Sequence, residues 1–192
     1  TAQRITCLDY VACNLDKDSY TELFVISLDV KSGRRMAQAY QISSQGSARP
    51  MGRTEMDPNV SSYRNIVIGD LADGRQAVYL DGVSGTNRYT TEILVYDGGN
   101  IQNLLYSPAE ELSYIDETAR NHAVFSADID ADGIVEIPTR VVANGYEDDA
   151  PHEQEYFTRW NICTENGLLV KKTSYVAYTL GFLFKLPDEW IG

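Results

Sequence analysis

The sequence predicts an all-β protein built from repeated units. Segments rich in β-branched and aromatic residues recur along all 192 residues, whereas helical periodicity is scarce. An Asp-rich segment begins at residue 14, again at residue 70 and again at residue 128, so successive copies start 56 and 58 residues apart. The chain is 43% hydrophobic, which excludes a disordered chain and supplies a core for one domain, 1–192.

The strands are expected between clusters of turn-forming residues. They fall at 22–30, 35–42, 65–69, 76–83, 90–96, 101–106, 123–127, 134–142, 155–163, 168–178 and 182–186. Glycine and asparagine tolerate the positive φ of tight turns, and they mark two hairpins. Residues 97–100 form one of these turns and residues 165–167 form the other.

Three polar stretches interrupt the strands. Residues 43–62 are rich in Ser, Gly and Pro and are expected to form a long loop. Residues 107–121 contain the one expected helix, at 108–112, with Ser107 as its N-cap. Residues 144–153 are acidic and are expected to form a solvated turn.

The three Asp-rich copies share one layout. Each copy follows an apolar strand, carries an aliphatic residue at its second position and runs into another strand. The aliphatic residues are Leu15, Leu71 and Ile129. The first and third copies have a glutamate at the ninth position, whereas the middle copy is one residue shorter and has Ala77 there. The middle copy is therefore expected to bind no metal.

A repeat of this length with four short strands per unit is typical of a β-propeller blade. The Asp-x-Asp-x-Asp-Gly-x-x-Glu-Ile stretch at 128–137 resembles the calcium-loop repeat of integrin α-chain propellers and of the bacterial FG-GAP/VCBS-like repeats. The resemblance implies antiparallel four-stranded blades of a β-propeller, with each loop linking two strands of a blade. A closed propeller needs about four to eight blades. The units here are approximately 1–60, 61–120 and 121–180, with the start of a further unit at 181–192, so an open propeller-like fragment is the alternative.

The third loop has the residue types of a calcium site. Ca²⁺ takes six to eight oxygens at about 2.3–2.6 Å, and carboxylates at alternate positions of a tight loop point inward. The candidate ligands are the carboxylates of Asp128, Asp130, Asp132 and Glu136 and the carbonyl oxygen of Ile134. Gly133 lies where the chain must turn sharply, so positive φ is expected there. An EF-hand is excluded because its twelfth position requires a bidentate glutamate, and that position here is Thr139.

The first loop offers a similar ligand set. Its candidates are the side chains of Asn14, Asp16, Asp18 and Glu22 and the carbonyl oxygen of Tyr20. Asn14 brings one charge fewer, and Ser19 replaces the turn glycine, which makes the turn costlier. Crowded carboxylates repel one another without a cation, so the third loop is the preferred calcium site and the first loop comes second. The competing interpretation of both loops is an Asx-type turn whose side chains cap backbone N–H groups.

The charge balance limits the partners. The formal net charge is −12, from 28 acidic and 16 basic residues, and it repels nucleic acid phosphates and anionic membranes. No run of about 18 apolar residues occurs, so no membrane span is expected in this chain. The chain opens at Thr1, almost in a strand, which we interpret as a mature or trimmed fragment. Similarity to secreted bacterial proteins implies an extracellular or cell-surface location, with lipid anchoring through a segment outside this chain as one form of it.

The three cysteines have no metal-ligand spacing. Cys7 and Cys13 share parity along a strand, so both are expected to face the core as free thiols. A disulfide from Cys163 to Cys7 or to Cys13 is the alternative.

The sequence offers no catalytic motif. His122 and His152 are the only histidines and lie beside no Ser or Cys motif, and Ser84 lacks the full Gly-x-Ser-x-Gly elbow. Five aromatic residues are candidates for a sugar-stacking face or, alternatively, for core and cross-strand pairs: Tyr156, Trp160, Tyr175, Tyr178 and Trp190. The favoured function is a non-catalytic extracellular propeller-like binding or structural module with structural calcium, whose ligand is a protein or a polysaccharide. The alternative is a carbohydrate-active enzyme or sugar-binding domain with its site on a loop face.

The charge leads to the first testable prediction. The chain is expected to make no specific contact with DNA or RNA, because no basic stripe offsets its net charge of −12. Fluorescence anisotropy of a labelled duplex checks this. Salt-sensitive binding at micromolar protein would contradict the prediction.

Overall fold

The described part of the chain forms three four-stranded antiparallel sheets and one two-stranded ribbon. The computed structural model describes residues 6–177 and 180–190. The first sheet contains β1 (Thr6–Cys13), β2 (Glu22–Leu28), β3 (Arg35–Ile42) and β4 (Ala48–Glu55). The second contains β5 (Ser62–Asp70), β6 (Gln76–Gly85), β7 (Arg88–Asp97) and β8 (Asn100–Asn103). The ribbon is β9 (Tyr106–Ser107) with β10 (Leu112–Ser113), and the third sheet contains β11 (Ile137–Val142), β12 (Tyr156–Thr164), β13 (Gly167–Ala177) and β14 (Phe182–Lys185).

Each large sheet is a meander in which strands that follow one another in sequence also pair. The all-β prediction and its antiparallel four-stranded sheets are therefore confirmed. The two predicted hairpins are confirmed as well: Gly98 and Gly99 turn β7 into β8 with φ of 56° and 116°, and Gly167 begins β13 with φ of 101°. Tyr178, the last residue of the predicted strand 168–178, lies outside the described residues.

The predicted helix at 108–112 is wrong. Residues 108–111 form the turn between β9 and β10, and Glu111 adopts a φ of 52°, which no helix accommodates. The described helices are two 3₁₀ turns, Ile115–Thr118 and Asp188–Trp190. Ser107 and Pro108 thus begin a turn, which is the other structure that this dipeptide favours.

The predicted long loop at 43–62 is also wrong, because β4 lies inside it. This strand has few apolar residues, and it carries Pro50 at an irregular position where the pairing with β3 shifts register. Proline is tolerated on edge strands and at bulges, where no ladder hydrogen bond from its nitrogen is needed. A polar edge strand of this kind gives no alternating pattern to recognise.

The third sheet differs from the other two in its outer strands. The predicted strand 123–127 is reduced to a single bridge between Ala127 and Glu136. At the other edge, β14 pairs with β13 through Tyr175 and Phe184. Residues 182–185 therefore form the fourth strand of the third sheet.

The second sheet is buried on both faces. One face, with Val78 and Leu80, packs against Phe24 and Ile26 of the first sheet. The opposite face packs against the third sheet and the residues that lead into it, and its members are Ala77, Tyr79, Ile93 and Val95. Alternate side chains of β6 therefore serve two cores, which explains its uninterrupted run of buried residues.

A buried ion pair ties the segment between the second and third sheets to β6. Arg120 Nη2 lies 2.6 Å from Asp81 Oδ1, with side-chain exposures of 3% and 0%. The other oxygen, Asp81 Oδ2, accepts a hydrogen bond from Ser126 N at 2.8 Å. Thr91 Oγ1 also donates to Asp81, so the carboxylate is fully satisfied in the interior.

The three cysteines are free thiols. Cys13 and Cys163 are buried in the two separate cores on either side of the second sheet. Cys7 is exposed, contrary to the expectation from parity: residues 6–10 of β1 are all exposed, and the pairing of β1 with β2 also shifts register between Cys7 and Asp9. A bulge of one residue reverses which side chains face the core.

The close approach of the first two sheets gives a testable prediction. A Cβ added at Gly52 in β4 would lie 2.7 Å from Asn100 Cα and 2.8 Å from Ile101 N, both of which are backbone atoms. Gly52→Ala is therefore expected to lower the free energy of unfolding by about 1–3 kcal/mol, because the two backbones must separate. Urea denaturation measures this change. The exposed Arg49→Ala on the same strand is the control and should change stability by no more than about 0.5 kcal/mol; an equal effect of the two variants would contradict the prediction.

Candidate metal centres

The first and third sheets each carry an Asp-rich loop at the same place in the strand register. Cys13 pairs with Glu22 across the first loop, and Ala127 pairs with Glu136 across the third. Each loop therefore spans eight residues and ends at a glutamate whose side chain has 0% exposure. The sequence alignment of the two copies is thus reproduced by the strand pairing.

The two loops also share hydrogen bonds. Glu22 Oε2 accepts a hydrogen bond from Leu15 N at 2.8 Å, and Glu136 Oε2 accepts one from Ile129 N at 2.9 Å. The aspartate at the fifth position of each loop also accepts the same backbone hydrogen bond. Asp18 Oδ1 accepts from Tyr20 N at 2.6 Å, and Asp132 Oδ1 accepts from Ile134 N at 2.9 Å. These bonds hold the carboxylates around a common centre in each loop.

The loops turn at the same position. Lys17 and Ala131, each at the fourth position, have φ of 57° and 60°. Gly133 has the expected positive φ of 89°, and Ser19 at its equivalent position is not among the residues with positive φ. A serine with positive φ would strain the backbone, but Ser19 does not adopt one. The left-handed residue of the first loop is Lys17 instead.

The first loop brings three carboxylates together and contains two buried oxygens that lack hydrogen-bond partners. Asp16, Asp18 and Glu22 each offer an oxygen, and these oxygens lie within 4.8 Å of one another. Glu22 Oε1 and Asn14 Oδ1 are buried and accept no hydrogen bond, and they are two of the three such side-chain atoms among residues 6–177 and 180–190. Burial raises the pKa of Glu22, and the nearby charges of Asp16 and Asp18 raise it further. The loop thus concentrates negative charge without a counterion from the described residues.

The third loop contains an ammonium group at its centre. Asp128, Asp130 and Glu136 bring oxygens within 4.8 Å of one another. Lys171 Nζ lies 2.5 Å from Glu136 Oε1, 2.5 Å from Asp132 Oδ2 and 3.1 Å from Asp130 Oδ1. Burial alone would lower the pKa of Lys171, but its bonds to Asp132, Glu136 and Asp130 raise it above the ordinary value. Sequence reasoning missed this residue, which lies 35 positions after Glu136.

A bulge in β13 explains how two consecutive lysines reach one loop. Lys172 pairs with Trp160 and Val170 pairs with Asn161, so Lys171 has no partner residue on β12. Consecutive residues of a regular strand point to opposite faces, and the bulge removes that restriction. Lys172 Nζ therefore forms an ion pair with Asp130 as well.

Asp128 acts as a turn residue. Its Oδ2 accepts a hydrogen bond from Gly133 N at 2.8 Å, and its Oδ1 accepts one from Asp132 N at 3.2 Å. The bond from Gly133 is the main reason that the pKa of Asp128 lies below its ordinary value. The extra charge of this residue relative to Asn14 thus stabilises the backbone turn.

The middle loop connects the other two. Lys17 Nζ reaches from the first loop to Asp70 Oδ2 at 2.8 Å and to the carbonyl oxygen of Gly74 at 2.7 Å. On the other side, Asp70 N donates to the carbonyl oxygen of Gly133 at 2.9 Å. The three loops therefore lie at matching corners of successive sheets.

Two further buried carboxylates lie at the boundary of the first and second sheets. Asp57 and Glu92 both have 0% exposure, and Asp57 lines a cavity of about 410 Å³ between β4 and the ribbon. Glu92 accepts hydrogen bonds from Asp57 N at 2.9 Å, from Asn103 Nδ2 at 2.6 Å and from Tyr63 Oη. Burial raises the pKa of Glu92 to about 7, although these hydrogen bonds act in the opposite direction and lower it.

The described candidate sugar-stacking aromatics do not form a single face. Trp160 is buried and donates to Ser174 Oγ at 2.8 Å, and Tyr156 lies beneath the Arg140 guanidinium at 3.5 Å. Tyr175 lies on the opposite face of the third sheet, where it pairs with Phe184, and Phe184 contacts Trp190. Tyr178 lies outside the described residues.

Protein-family models, curated proteins and solved structures were each compared with the chain, and none matches it. None of the described residues belongs to a helix with the length and apolar character needed to cross a bilayer. The fold and the sites define an all-β stack of meander sheets. Two of its acidic loops bring carboxylate oxygens close enough together to hold a cation.

The buried Glu92 gives a prediction about pH. A carboxyl group whose folded-state pKa is raised from 4.5 to about 7 binds more protons in the folded state, so its contribution to stability is present below pH ~4.5 and is lost as the pH rises through about 7. Glu92→Gln is expected to be more stable than the wild type at pH 8 by at most about 3 kcal/mol, and to lose this advantage at pH 4.5. Urea denaturation at several pH values measures the difference. Glu111→Gln changes an exposed carboxylate in the lining of the cavity that Asp57 also lines, and it is the control; a pH-independent difference at Glu92 would contradict the prediction.

Proposed function

We propose that this protein is a non-catalytic, propeller-like binding or structural module in which calcium in the first loop fixes the first sheet against the second. The supporting observation is the pair of buried oxygens, Glu22 Oε1 and Asn14 Oδ1, that have no hydrogen-bond donor beside the carboxylates of Asp16 and Asp18. A buried carboxylate oxygen without a partner costs free energy. A hard divalent cation satisfies such oxygens, and carboxylate and amide oxygens are the ligands that calcium prefers.

The location of the loop supports a structural role for the ion. Asn14 N donates to Gln76 Oε1 at 3.0 Å, and Lys17 reaches Asp70, so the loop already contacts the second sheet on two sides. An ion among Asp16, Asp18 and Glu22 would order these contacts without taking part in a reaction. Loops of this kind bind calcium at roughly 10⁻⁴–10⁻³ M, which suits the extracellular or cell-surface location that we propose. The module is proposed to bind a protein or polysaccharide, as FG-GAP/VCBS-like resemblance implies.

The experiment is a melting curve in 1 mM calcium compared with one in EGTA. A ligand that binds only the folded state contributes RT ln(1 + [L]/Kd), which is about 0.4–1.4 kcal/mol at these affinities. The expected rise in melting temperature is therefore about 1–5 °C. Glu22→Gln should lose the rise, because it keeps an oxygen for Leu15 N but removes the charge.

Asp148→Asn provides the matched control, since it makes the same change of charge in the loop 144–153. This variant should keep the full calcium shift. Wild-type curves that coincide in calcium and EGTA, or a Glu22→Gln variant that keeps the shift, would exclude calcium from the first loop.

A further inference from the structure

The first and third loops differ at one atom of their shared geometry. Glu22 Oε1 has no hydrogen-bond partner, whereas Glu136 Oε1, at the equivalent position, lies 2.5 Å from Lys171 Nζ. An ammonium group has three donors, and the Lys171 ammonium directs them at three carboxylates. These carboxylates belong to Asp130, Asp132 and Glu136.

The strand register identifies the residue of the first sheet that corresponds to Lys171. In the first sheet, Ala39 pairs with Gly52 and Tyr40 pairs with Pro50, so Met51 is the unpaired bulge residue. Tyr40 pairs with the residue that follows Glu22, and Asn161 pairs with the residue that follows Glu136. The bulges therefore coincide, and Met51 stands where the third sheet has Lys171.

We propose that Lys171 decides which class of cation occupies the loop 128–136. Its ammonium is the resident cation, so the loop takes no divalent ion while the lysine is present, and removal of the ammonium converts the loop into a divalent-metal site. A metal ion could enter only after Lys171 leaves Glu136 and Asp132, and Lys172 holds Asp130 in addition. The inference rests on the proposed function in its use of calcium as the divalent ion and in the one ion expected in the first loop.

The experiment counts calcium ions per chain by equilibrium dialysis with radioactive calcium. The informative variant is Lys171→Met, which installs the residue found at the equivalent bulge of the first sheet. The wild type is expected to bind one calcium ion per chain, and Lys171→Met is expected to bind two. The double variant Lys171→Met with Glu136→Gln is expected to bind one. Lys185→Met removes an exposed lysine from the neighbouring strand β14, and this control should bind one ion.

Melting curves provide a second measurement. Without the ammonium the carboxylates repel one another, so Lys171→Met should melt below the wild type in EGTA and recover more strongly in calcium. Glu136→Gln alone should leave the calcium stoichiometry and the calcium shift as in the wild type, and this result keeps the test decisive if Lys171→Met does not fold.

The outcomes separate the two proposals. A wild type that binds two ions and loses one in Glu136→Gln overturns the role of Lys171 and leaves calcium in the first loop intact. A folded Lys171→Met that binds no more calcium than the wild type also overturns the role of Lys171. A wild type that binds none, with one ion gained in Lys171→Met and lost again with Glu136→Gln, supports the role of Lys171 and refutes calcium in the first loop.

Discussion

The burial of both faces of the second sheet is the constraint on which the structure depends. Residues 77–82 of β6 are all buried, so this strand has no solvent side on which to place a polar group. Asp81 lies in this run, and a carboxylate there is tolerable only with charged and polar partners. Arg120 and Ser126 supply them. The connecting segment between the second and third sheets therefore passes beside Asp81, because this buried carboxylate requires hydrogen-bond donors and a positive charge.

Much of the fold could be predicted from sequence because it depends on local signals. Strand alternation, turn glycines and the repeated Asp-rich segment indicated antiparallel sheets and matching loops. The bulges carry no such signal. At Leu8, Met51 and Lys171 the pairing shifts by one residue, and each shift changes which side chains meet. Lys171 reaches the third loop because of a shift in register that only the pairing with β12 determines.

The candidate sites show why counting charges along a sequence is an incomplete guide to metal binding. Asp128 adds a carboxylate to the third loop, but both of its oxygens accept backbone hydrogen bonds within the turn. The decisive groups lie elsewhere: an ammonium from β13 in the third loop, and unpartnered oxygens in the first. The ammonium depends on a contact between residues 35 positions apart, which the spacing within a motif does not encode.

The first sheet packs on the second with the same face that the second sheet uses to pack on the third. Phe24 of β2 faces the second sheet, and Tyr79, at the equivalent place in β6, faces the third. A stack built in this way has polarity, as a filament of identical subunits has. Gain or loss of a whole unit at either end therefore leaves the remaining contacts unchanged, whereas an insertion of a few residues within a strand disturbs two cores at once. Gene duplication in steps of one unit is the change in length that such an architecture tolerates best.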